Sequence, residues 1–391
     1  MMRSRAIAVV VLGAVAAALA HPVAAPADAP VVDARVAAAF SAGDCARCHD
    51  VPVVGVTKAA RLDSCKDCHI WIRDVSSDPL KRAKAVEVFP LWPRYEKNVR
   101  TYLKSPPLDA AMARLDPEWV RTYLQDPHDL RPNLPETMPR FALDAEQVDA
   151  IVDAFAAARV TPPPSPKPDA ANLARGEQLF GEKGCEGCHT YGARHTMGVD
   201  PLAPDLANTR ERMSPDAIVT WILNPKSLSS GATMPTLGLA EPDAIALRDY
   251  IVLADPRWKP ATALGKAPVA TKAPVTWAQV EERVTGRICQ HCHMKPEINQ
   301  GRAGPGNAGG FGWPPTGIEL QTYEGVVAVK DRLPDALLRR RLEVHRDVVR
   351  PGQQSAVLTR PALPGMPLGL PALSDEDISL VLGWIEQGCP K

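Results

Sequence analysis

The sequence has no excess charge of either sign: across its 391 residues, 45 Lys and Arg stand against 45 Asp and Glu. That balance gives no support to nucleic-acid binding, which rests on a basic excess. Beyond the N-terminal region there is no apolar run of about 20 residues, the length that a bilayer-spanning helix needs. There is also no spare cysteine from which to build a disulfide framework. Of nine cysteines, eight sit in one recurring motif and only Cys389 is left over, without an intramolecular partner. What the chain has in excess is proline, 40 residues, about twice the ordinary usage.

Met1 to Arg5 is a short basic start, Ala6 to Ala20 is a small-residue apolar run, and Ala18-Leu19-Ala20 is an A-x-A-like processing site. Residues 1–20 are therefore expected to be a secretory signal peptide. The alternative is an uncleaved N-terminal anchor, which would associate the protein with the membrane. In both cases the folded part is exported, and the expected location is the periplasm.

An exported chain with nine cysteines would ordinarily be read as disulfide-bonded, but the spacing argues otherwise. The motif is Cys-x-x-Cys-His, at Cys45–Cys48–His49, Cys65–Cys68–His69, Cys185–Cys188–His189 and Cys289–Cys292–His293. With Cys and His at nine residues each, chance gives roughly 0.005 such pentapeptides in the chain. This is the c-type haem attachment signature. Two thiols add across the two vinyl groups of one haem, and the adjacent histidine is held where its imidazole can bind the iron. A zinc site would instead need Cys and His pairs converging on one tetrahedral centre. The expected cofactors are four covalently bound haem c groups, with His49, His69, His189 and His293 as proximal ligands.

Two proline-rich stretches, 161–168 and 256–275, read as semi-rigid spacers. They divide the mature chain into 21–160 with two motifs, 169–255 with one, and 276–391 with one. The pieces repeat. Pro117–Pro127 followed by Met138-Pro139 parallels Pro215–Pro225 followed by Met234-Pro235. Each reads as a short helix with a proline at either end, and further helices are expected to open at Leu143 and Leu239. The third piece keeps Met366-Pro367 and a last helix from Leu373 through Ile385, with a capping-box start at Ser374 and Asp377.

This order resembles that of class I (mitochondrial-type) cytochrome c domains. Gly176–Phe180, Cys185–His189, Trp221, Pro225, Met234-Pro235 and Asp243–Leu253 carry the resemblance, over nearly all of 172–254. The third piece matches at Trp277–His293 and Met366–Gln387, and the first at its two ends. The resemblance implies an all-α protein of three cytochrome c-like helical modules joined by Pro-rich linkers, the first with an inserted extra haem unit.

It also implies that a loop before each last helix delivers a methionine sulfur to the iron. The candidates are Met138, Met234 and Met366. His/Met ligation raises the reduction potential relative to bis-His and closes the iron to outside ligands. Val32–Phe40 leads into Cys45 as a first helix would, so Met138 is assigned to the first haem, with the second as the alternative. The second haem then sits in an insertion, with its sixth ligand unassigned. His128 is a weak candidate, since a histidine after Pro127 is otherwise solvent-facing. His195, His291 and His345 read as surface or non-ligating residues, Met112 as the nearest spare methionine, and Cys389 as a buried thiol, with an intermolecular disulfide as the alternative. Leu80–Lys104 is locally basic and reads as a solvated helix face or a dock for an acidic partner. Trp92 and Trp119 read as core or haem-packing residues rather than redox groups.

The expected function is outer-sphere electron transfer between haems, an electron carrier rather than a catalyst. The expected partners are a membrane quinol-oxidising complex upstream and a terminal reductase or oxidase downstream in a respiratory chain. The alternatives place a small-molecule reductase, a peroxidase or a gas or redox sensor at the second haem. No acid-base set accompanies that haem, and nothing like a signalling domain follows.

Overall fold

The computed structural model describes residues 34–53, 55–59, 64–90, 92–97, 99, 103–141, 143–257, 263–287, 289–295, 316–348 and 364–391. The expected signal peptide lies outside them. The described residues form helices and no strand, as an all-α reading requires. Their apolar side chains gather into four separate cores.

The first core joins α1 (Ala34–Ala42), α5 (Leu108–Arg114), α6 (Pro117–Gln125) and α7 (Ala145–Ala158). Helix α7 opens with a reciprocal cap between Asp144 and Gln147. It buries Val148, Ile151, Val152 and Phe155, the i, i+3, i+4, i+7 stripe of an amphipathic helix. Ile151 and Phe155 of that stripe, with Ala150 and Ala154, share a core with Val36, Ala39 and Phe40 of α1. Met112, the spare methionine, is buried in this core.

Between α1 and α5 the chain makes an excursion through α2 (Cys65–Ser76), α3 (Pro79–Val88) and α4 (Trp92–Glu96). A small core of its own forms around Ile72, Trp92, Tyr95 and Val99. Trp92 is fully buried, with Nε1 donating to Ser76 Oγ at 2.9 Å. Trp119 lies on the first core and stacks on Tyr123. Both tryptophans are therefore packing residues. On the basic stretch, Leu80 of α3 is exposed.

The second core rests on the crossing of α8 (Leu173–Glu182) and α13 (Glu241–Leu253). Gly176 makes the close approach possible: a Cβ there would lie 2.2 Å from the Ala246 carbonyl oxygen. One turn on, Phe180 packs on Tyr191 and Tyr250. Between the two lie α9 (Cys185–Cys188), α10 (Thr209–Arg212), α11 (Pro215–Leu223) and α12 (Pro225–Leu228). The third core joins α14 (Trp277–Val280), which continues as a wider turn through Thr285, with α15 (Tyr323–Ala328), α16 (Leu333–Val348) and α17 (Asp375–Glu386). Ser374 caps α17 by accepting from Asp377 N at 3.1 Å. The reciprocal half of the expected box does not form, because the Asp377 carboxylate pairs with Arg283 at 2.7 Å.

The described parts of both proline-rich stretches are docked. Ser165 N donates to Asp216 Oδ1 at 2.9 Å, and Arg248 donates to Ser165 Oγ and to the Pro166 carbonyl. Arg248 and Asp249 are fully buried as an ion pair beneath this segment. Further on, Thr271 N donates to Ser379 O at 3.1 Å, and Gln387 is bonded to both Val275 and Ala273.

The segment from Pro127 to Arg140 links the three bundles. Asp205 N donates to Leu130 O, Asn133 Nδ2 to Gly198 O, and Thr137 N to Gly369 O, at 3.0, 2.7 and 2.8 Å.

Candidate haem-attachment sites

Each motif is built as one helical turn. In the first, third and fourth, the histidine N–H donates to the carbonyl of the first cysteine, at 2.9, 2.9 and 3.0 Å. Closing that turn puts residues i, i+3 and i+4 on one face, so both thiols and the imidazole point the same way. Asp44 and Gly184, in the left-handed region at φ 50° and 71°, turn the chain into the first and third motifs. The second motif differs: Cys65 to His69 are the opening residues of α2, capped by Ser64, whose side chain accepts from Asp67 N.

The second ring nitrogen of three motif histidines is fixed. His49 Nδ1 lies 2.7 Å from the Pro106 carbonyl oxygen, His189 Nδ1 2.9 Å from that of Pro204 and His293 Nδ1 3.3 Å from that of Ile318. A carbonyl only accepts, so Nδ1 carries the proton and Nε2 presents its lone pair. The chain is then clasped a second time: Leu108 N donates to Asp50 O, Leu206 N to Thr190 O and Leu320 N to His293 O, each at 2.9 Å. Burial pushes all three imidazoles below the ordinary histidine range, partly offset by the carbonyl bond. They are held neutral, as a metal ligand must be.

One cysteine of each motif is seated on a different core: Cys45 on the first, Cys68 on that of the excursion, Cys185 on the second and Cys289 on the third. None of the nine cysteines is in a disulfide. Burial pushes the Cys45 thiol up to about 11 and the Cys289 thiol up to about 12. Among the described residues no three His, Cys, Asp or Glu side chains converge as a bare-ion site would require.

Met138, Met234 and Met366 are all half-buried, each on the irregular segment before the last helix of its bundle. Met366 N donates to Ala336 O at 2.9 Å, and Gly365 N to Glu343 Oε1 at 2.8 Å, which pins that segment to α16. His128 is half-buried rather than solvent-facing. Its ring packs on Tyr123 and its Nε2 is buried without a hydrogen-bond partner. His195 commits both nitrogens, to Glu186 at 3.0 Å and to the Tyr250 hydroxyl at 2.8 Å. His291 packs edge-on against Tyr95. His345 is half-buried on α16, not fully on the surface. Cys389 is buried beside α17, with its backbone N–H on Trp384 O.

Sequence reasoning did not find the arginines at the junction of the first and second bundles. Arg212 is buried and Arg114 lies over the Trp221 ring at 4.7 Å. Asp116 N donates to Arg212 O at 2.8 Å, which ties the two bundles at this point. Burial, with the charges of Arg212 and Arg131, lowers Arg114 to about 9. Burial, with the charge of Arg131, lowers Arg212 to about 10. Arg131 is lowered by burial too. None of the three has an ion-paired carboxylate among the described residues. The charge of Arg131 reaches His49, and that of Arg212 reaches His189. Carboxylates act on each from beyond ion-pair distance, Asp109 on Arg114, Asp129 on Arg131 and Asp205 on Arg212, and the two carboxylates of a haem would add to that counter-charge. The thiols, the fixed imidazoles and this cationic junction fit that cofactor.

Comparison with known proteins finds no matching family model, no matching curated protein and no matching solved structure.

Proposed function

We propose that this chain is an exported tetrahaem c-type cytochrome that carries electrons, with Cys45, Cys48, Cys65, Cys68, Cys185, Cys188, Cys289 and Cys292 as attachment residues. The observation that carries the reading is the repeated setting of His49, His189 and His293. Each closes a turn onto the first cysteine of its motif and gives Nδ1 to a backbone carbonyl, leaving Nε2 for iron. Orienting a ligating imidazole through its other nitrogen is what metal sites require of their surroundings.

When bound, the haems supply reversible one-electron chemistry. The chain's own residues do the rest. The thiols would hold each cofactor, and Met138, Met234 and Met366 would take the sixth positions in the three bundles. The four apolar cores exclude water, and Arg114, Arg131 and Arg212 would neutralise carboxylates at the junction. The reading includes three cytochrome c-like modules, at 21–160, 169–255 and 276–391, and a periplasmic location. Its partners are a quinol-oxidising membrane complex and a terminal reductase or oxidase.

A spectrum of the purified, matured protein in alkaline pyridine tests this. Four c-type haems per chain are expected, with no carbon monoxide binding after reduction. A protein without haem absorption overturns the reading, and binding at one iron would move the assignment to catalysis or sensing at the second haem.

A further inference from the structure

The small core of the excursion is not made by the excursion alone. Ile72, Trp92, Tyr95 and Val99 close around Met294, which is almost fully buried there. Met294 directly follows His293, the histidine of the fourth motif. One position before Cys292, His291 packs edge-on against Tyr95, with ring centroids 4.8 Å apart. The fourth motif is thus seated on the element that carries the second. The first lies beside them: Lys66, inside the second motif, donates from Nζ at 2.8 Å to Oδ2 of Asp50, the residue after His49. The third motif reaches this group through the first bundle, across the Asp116–Arg212 and Arg114–Trp221 contacts.

On the reading that each motif carries a haem, we propose that the second and fourth haems form an apposed pair with the first beside them. The third is joined through the first bundle, so the first haem would stand between the third and the second–fourth pair. Chain order and spatial order then differ. Each transfer oxidises one centre and reduces its neighbour by one electron, with no bond made and no proton or co-reactant consumed. The inserted unit accordingly needs the last bundle, because Met294 fills its core.

Dipolar EPR of the full, oxidised protein tests the pairing, with haems removed one at a time. Cys65→Ala with Cys68→Ala is expected to narrow the signal of the fourth centre, whereas Cys185→Ala with Cys188→Ala leaves it unchanged. The reverse pattern overturns the proposal. Met294→Gln, which keeps all four attachment sites, supplies a second readout: the potential of the second centre shifts and that of the third does not. No change at the second centre is equally fatal. Fewer than four haems in the unsubstituted protein would instead contradict the function on which the proposal rests.

Discussion

His49 donates from Nδ1 to the carbonyl of Pro106, 57 residues further along the chain, at 2.7 Å. The equivalent bond from His189 to Pro204 spans only 15 residues. The same clasp therefore closes a short loop in one bundle and the whole α2–α4 excursion in another. Leu108 N on Asp50 O, beside it, completes the closure. The first bundle is built as though the excursion were absent.

From that closure it follows that losing the second attachment site leaves the first bundle intact. The variant Cys65→Ala with Cys68→Ala is expected to mature with three haems and to keep its helical circular dichroism. Loss of all haem from the first bundle as well would show that the clasp does not act alone.

The α8–α13 crossing separates two glycines of one helix. A Cβ on Gly176 would meet Ala246 O at 2.2 Å and Tyr250 Cβ at 2.5 Å, whereas one on Gly181 meets nothing within 4 Å. Gly176→Ala is expected to destabilise the second bundle by about 1–3 kcal/mol through overpacking. Gly181→Ala should stabilise it by about 0.5–1 kcal/mol through helix propensity. Denaturant unfolding of the two variants reads the opposite signs.

Arg212 bears on redox potential. Oxidation adds one positive charge at an iron, and a buried guanidinium nearby opposes it. Arg212→Gln is expected to lower the midpoint potential of the third haem, whose histidine, His189, lies in the field of that charge. Potentiometric titration followed at the haem bands measures the shift. An unchanged or raised value would separate the arginine from the haem.

His128 makes stability depend on pH. Burial first, then Arg212 and Arg140, lowers it from 6.5 to about 4. Between those values the unfolded chain takes up a proton that the folded chain refuses, so stability is full above pH 6.5 and falls as pH drops towards 4. His128→Phe is expected to flatten that part of the profile. Unfolding midpoints compared at neutral and mildly acidic pH check it.

Helix boundaries were legible from local rules. Pro117 and Pro215 open the helices Pro117–Gln125 and Pro215–Leu223, behind the caps Asp116 and Ser214. The helices expected from Leu143 and Leu239 begin two residues later, at Ala145 and Glu241. What stayed hidden depends on distant partners. The Pro106 and Pro204 acceptors had a legible signal, since Pro106-Pro107-Leu108 and Pro204-Asp205-Leu206 share a Pro-x-Leu pattern. The unequal spacing from their histidines concealed it. The arginine junction and the seat of Met294 had none. Arg114, Arg131 and Arg212 look like ordinary surface cations in sequence, yet Arg212 is buried and the other two are half-buried. Asp377 fits a capping box locally, but Arg283, from another helix, takes its carboxylate.

Covalent haem attachment is decided by the mass of the intact, denatured, matured chain. Denaturation strips any cofactor that is merely bound, so only thioether-linked groups survive it. The expected mass is that of the processed polypeptide plus four haems, reduced by one haem when either the Cys185 and Cys188 pair or the Cys289 and Cys292 pair is replaced by alanine. A mass equal to the bare processed polypeptide would contradict tetrahaem attachment and everything built on it.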